Sequence, residues 1–170
     1  MTSLVSAIGS MLLRELVSLR KEIEAYPTDA DLWKTVPGIT NSGGTLALHL
    51  AGNLQHFIGA VLGGSGYVRD RDAEFSTRGL SRKEVVGVVE QTTAALTRTF
   101  GSLREEVLAG RYPEPVGNVR VMTGDFLVHL EGHLAYHLGQ IDYHRRMITG
   151  TGALPGSLSP GKLVSAEADE

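Results

Sequence analysis

Four of the chain's six histidines fall in one segment, GDFLVHLEGHLAYHLGQIDYHRR (residues 124–146), where His129, His133 and His137 are four apart and His144 follows. On a helix turning roughly 100° per residue, His129, His133, His137, Gln140 and His144 all lie within an arc of about 80°. Leu130, Leu134, Leu138 and Ile141 sit beside that stripe, while Glu131, Gly139, Asp142 and Arg146 share the opposite side. The stripe is therefore expected to point inward with the leucines, where imidazole nitrogens need partners once they leave water. An earlier segment repeats the anomaly: Thr45, His49, Asn53 and His56 share a narrow arc of a stretch that is otherwise Leu46, Leu48, Leu50, Leu54, Phe57, Ile58 and Val61.

Two histidines four apart on one helix can both reach one ion, and a third from a neighbouring helix completes a facial three-nitrogen set with positions left open for water or substrate. His129 and His137, eight residues apart, are separated by about 12 Å along a helix axis and cannot share an ion. The pair is then His129/His133 or His133/His137. The competing reading is a hydrogen-bonded polar network inside the core. Two facing polar stripes favour the metal. Asn53, His56, His129, Gln140 and His144 remain as supports behind the ligands, substrate contacts or plain core polarity. A divalent ion on three neutral imidazoles keeps its positive charge and favours the deprotonated form of a thiol or water beside it. The chain has no cysteine, so a thiol nucleophile must come from outside, and metal ligands must be nitrogen or oxygen. No inward carboxylate on either histidine-bearing helix stands out as a fourth ligand, which favours a catalytic ion over a closed structural one.

Four helices are expected to position these residues. Leu4, Ile8, Leu12, Leu16, Leu19 and Ile23 form one stripe that ends at Tyr26-Pro27. After the Asn41-Ser42-Gly43-Gly44 turn, a second helix runs from about Thr45 to Leu62, apolar nearly all round and therefore central. Gly52, Gly59 and Gly63 on it each cost about 1 kcal/mol relative to alanine, which suggests close helix approach or a pocket wall. Ser81-Arg82-Lys83-Glu84 reads as a capping box opening a third helix that Val85, Val89, Leu96, Leu103 and Val107 carry to Gly110. The fourth runs from about Thr123 to Thr149. Between the second and third helices, residues 63–79 contain GYVRDRDAEF, too charged for a core and too long for a tight hairpin. This segment is expected to cross the bundle or close over a site. No segment alternates strongly enough to be a strand, although residues 118–122 are ambiguous. The expected fold is all-α: an antiparallel four-helix bundle in residues 1–150 with a long crossover between its second and third helices, then a poorly structured Gly/Pro/Ser-rich tail over 151–170.

With 170 residues, 42% hydrophobic and 21% charged, the chain can bury one sizeable core but not two. A net charge of -3 with no Lys/Arg cluster gives no field for a phosphate backbone, so nucleic acid is not an expected partner. Arg14, Glu15, Arg20, Lys21 and Glu22 interrupt the first apolar stretch, so neither a signal peptide nor a membrane span is expected there, and the cytoplasm is the default compartment.

The piece HLAYHLGQ (residues 133–140) resembles the HxxxHxGQ signature of the DinB/YfiT-like superfamily, and TLALHLAGNLQHFIGAVLGG is similar to that family's second helix with its single ligand histidine. The similarity extends over roughly Leu4 to Gly150. It implies a four-helix bundle, often a homodimer, with His49, His133 and His137 holding a divalent ion such as zinc or nickel. Several such proteins transfer low-molecular-weight thiols of the bacillithiol or mycothiol kind, so the resemblance implies a metal-dependent thiol S-transferase acting on a small electrophile. A metal-dependent hydrolase, or a non-catalytic metal-binding stress protein, is the alternative. His56, His129 and His144 depart from the family pattern.

Overall fold

A computed structural model of the chain describes residues 3–154 and 159–167. Among those residues the regular structure is entirely helical, with isolated bridges Arg111–Met122 and Val116–Val119 in place of strands. Helix α1 spans Leu4–Glu24, the short α2 Asp29–Trp33, α3 Gly43–Leu54, α4 Arg71–Ser76, α5 Arg82–Ser102 and α6 Thr123–Thr149. A π-helical turn over Gln55–Ala60 prolongs α3, so four long helical stretches stand where the apolar periodicity predicts them. The second begins at Gly43, two residues before the predicted Thr45, because the Ser42 hydroxyl caps it by accepting from the Thr45 N–H.

The core lies between α1, α3, α5 and α6. Leu12, Leu16, Leu19 and Ile23 of α1 are fully buried with Leu50, Leu54, Leu96, Leu134 and Ile141, and each such side chain contributes roughly 1.5–3 kcal/mol of transfer free energy. α3 is buried on almost every face, as its apolar composition requires. Gly63 accounts for how closely the following turn approaches α5, since a Cβ there would overlap Thr99. The Ser81/Glu84 capping box at the start of α5 forms as the sequence predicts.

The third helix is shorter than predicted. It ends at Ser102, where Leu103 turns extended, and a separate 3-10 turn occupies Glu105–Ala109. This turn brings the Glu105 carboxylate to the Leu4 and Val5 N–H groups, from which it accepts at 3.0 and 3.2 Å. The free N–H groups at the start of α1 thereby gain acceptors and a favourable negative charge. At the far end of α1, Arg145 of α6 is 1% exposed and ion-paired with Glu22. Its other nitrogens donate to Asp142, to the Thr151 hydroxyl and to the Gly152 carbonyl. Of the tail predicted over 151–170, residues 155–158 and 168–170 lie outside the described residues; the rest includes a 3-10 turn at Pro160–Lys162. No helix among the described residues is long and apolar enough to cross a membrane.

Candidate metal centre

α3 carries His49 on the side facing α6, and α6 carries His133 and His137 one turn apart. One ring nitrogen from each of the three lies within 4.8 Å of the others, so these histidines could hold a metal ion. His49 Nε2 is 3.3 Å from His133 Nε2, and the three rings meet edge to face with centroids 4.7–5.5 Å apart. His137 Nδ1 contacts Gln140 Oε1 at 2.7 Å, which leaves Nε2 as its free nitrogen. His133 Nδ1 is buried with no hydrogen-bond partner among the described residues. Burial pushes the His133 imidazole down to about 4, with repulsion from His137, His49, His129 and Arg69 adding to it. Burial also pushes His137 down, against the opposing effect of its hydrogen bond to Gln140. Both shifts favour the unprotonated rings that metal ligation requires.

The remaining polar candidates are distributed more widely. His129 is exposed, its ring stacked on Phe126 and 6.4 Å from that of His133. The expectation that all the α6 histidines point inward with the leucines is therefore corrected: His129 and Gln140 are on the surface, because the apolar arc of α6 turns past them. Asn53 is buried one turn after His49, and its Oδ1 has no hydrogen-bond partner among the described residues. His56, in the π-helical turn, places Nε2 2.9 Å from a Glu114 carboxylate oxygen.

His144 is a core residue. It is 2% exposed, with Nδ1 2.6 Å from the Tyr26 hydroxyl and Nε2 2.9 Å from the Lys34 carbonyl. Burial holds its imidazole below the ordinary histidine value, and the bond to the Lys34 carbonyl opposes this only partly. The unfolded chain therefore takes up this proton first as pH falls. The stability His144 contributes is complete above about pH 6.5 and is lost as pH drops through the lower folded-state value. Thermal unfolding across that window should show a shallower pH slope in His144→Gln than in the wild type; equal slopes would assign the dependence to other groups.

Two residues of the site carry no motif. Glu74, on α4, is 5% exposed and places Oε2 2.9 Å from His49 Nδ1. Arg69 donates to the same carboxylate through Nε at 2.6 Å and Nη2 at 2.9 Å. Burial pushes the Glu74 carboxyl up, but the hydrogen bonds from Arg69 and His49 outweigh it and hold the group below the usual range. The crossover thus covers one side of the cluster, with Phe75 4.9 Å from the His49 ring. In sequence its charge argues against burial; a carboxylate is buried here because a guanidinium and an imidazole both face it.

Residues 11–153 match the family model described as "Protein of unknown function (DUF1572)", and the chain belongs to that family. No curated protein sequence matches it.

Proposed function

We propose that this DUF1572 chain is a divalent-metal-dependent enzyme that transfers a low-molecular-weight thiol to a small electrophile, built as a DinB/YfiT-like antiparallel four-helix bundle. His49, His133 and His137 would hold the ion, zinc or nickel, both of which suit imidazole ligands. The observation that carries this reading is the convergence of three imidazole nitrogens within 4.8 Å, a group that, among the described residues, consists of His49, His133 and His137 alone. When bound, a divalent ion supplies the positive charge that favours the deprotonated form of a thiol beside it.

The chain's own residues provide binding and orientation. Gln140, tied to His137, also lines a cleft of about 310 Å³ with Ile39, Asn41, Leu46 and Tyr143. That mix of apolar wall and a few amides suits a small organic molecule. Asn53 offers an acceptor one turn from His49 that has no hydrogen-bond partner among the described residues. Because the chain contains no cysteine, no protein thiol competes for the electrophile.

Metal-loaded protein is incubated with a haloarene and, separately, with bacillithiol, mycothiol, glutathione and coenzyme A, and thiol consumption is followed. Acceleration with one thiol, lost in His49→Ala, is the expected pattern. If no thiol is consumed faster than in buffer while the metal stays bound, the transferase reading fails and the hydrolase or non-catalytic reading replaces it.

A further inference from the structure

We infer that Glu74, gripped by Arg69, is the positioning residue of the centre: it fixes His49 as the tautomer protonated on Nδ1, so that Nε2 presents its lone pair toward His133 and His137. The inference rests on the metal-centre reading and adds to it a support drawn from the crossover.

An ionised carboxylate only accepts hydrogen bonds. Glu74 receives two from the Arg69 guanidinium, the arrangement that keeps a carboxylate ionised. The proton in its 2.9 Å contact with His49 Nδ1 therefore belongs to the imidazole. In the neutral ring Nε2 is then the acceptor, and it is the nitrogen that lies 3.3 Å from His133 Nε2. A carboxylate behind a ligating imidazole sets ring orientation and raises its basicity.

The backbone makes room for this contact. Gly52, three residues after His49 and on the same side of α3, lies where any Cβ would overlap the Glu74 carboxylate. This helix-weakening glycine is thus the gap through which the crossover reaches the histidine. The Arg69–Glu74 pair lies within the crossover, so the contact with Nδ1 is what ties this carboxylate to the histidine of α3.

Nitrogen-15 imidazole spectra of metal-free protein at about pH 8, where histidine is neutral, read the tautomer directly, with His49→Ala identifying the signals. The wild type should show His49 as the Nδ1–H form. Glu74→Gln and Gly52→Ala should each raise the Nε2–H population. Both should weaken Zn²⁺ binding, measured against a competing chelator, by about 10–100-fold. Gly52→Ala keeps the carboxylate but displaces it, so agreement between the two variants separates positioning from simple loss of charge. An Nε2–H tautomer in the wild type would overturn the inference. So would unchanged affinity in both variants while His49→Ala abolishes binding. If the wild type binds no Zn²⁺, the metal reading fails, and the tautomer shift still decides the role of Glu74.

Discussion

Replacing His133 or His137 with alanine should abolish stoichiometric binding of a divalent ion, whereas replacing His129 should leave most of it. The His133 and His137 nitrogens converge with that of His49, and loss of either leaves two imidazoles, too few to hold an ion at stoichiometric occupancy. His129 lies on the surface against Phe126, its ring 6.4 Å from that of His133, and contributes no nitrogen to the convergence. Elemental analysis of each purified variant checks this. The reverse pattern, metal lost in His129→Ala and kept in His137→Ala, would move the site one turn along α6. The same preparations supply a second readout, because a ligand bound only by the native state stabilises it by mass action. Chelator should therefore lower the melting temperature of the wild type but not of His137→Ala.

The second large effect concerns stability. Glu22→Ala should destabilise the fold by about 3–5 kcal/mol, because it leaves the Arg145 guanidinium buried without its main partner. Arg145 is 1% exposed, and α1, α6 and the residues after α6 all meet at it. Burial pushes the Glu22 carboxyl above the usual range despite the pull of Arg145, so desolvation is not fully repaid by the pair. It follows that replacing both residues with leucine should cost much less than Glu22→Ala alone. Urea unfolding of the two variants decides it. A loss below about 1 kcal/mol in Glu22→Ala would show that Asp142 and the Thr151 and Gly152 oxygens suffice to hold the guanidinium.

Features of this fold are legible in the sequence where their signal is periodic or local. The stripes over residues 4–23 and 129–144 repeat every three or four positions, and α1 and α6 stand where those repeats place them. The capping box marks the start of α5, because both its partners are local. The end of α5 is not legible: Leu103 and Val107 keep helical spacing, but Glu105 is needed at the start of α1, a contact 101 residues away in sequence. Glu74 gives no signal for a similar reason. Its burial depends on Arg69, five residues away, and on His49, twenty-five away, and GYVRDRDAEF in isolation reads as a solvated loop. Gly52 is the one trace, a glycine costing stability on a central helix, and its cause is visible only with the crossover packed against it. The inward face of α6 is narrower than its histidine stripe suggests, since a helical wheel gives the arc a residue occupies but not how far the neighbouring helices cover it.

The most direct measurement is anomalous diffraction from crystals of the protein grown with zinc, recorded above and below the zinc edge. A single strong peak is expected among the Nε2 atoms of His49, His133 and His137, at about 2.0–2.1 Å from each as for zinc–imidazole bonds. The Nδ1 atoms of His49 and His137 should still face Glu74 and Gln140. A peak beside His129, or no peak at the three histidines in zinc-saturated crystals, would contradict the three-histidine centre.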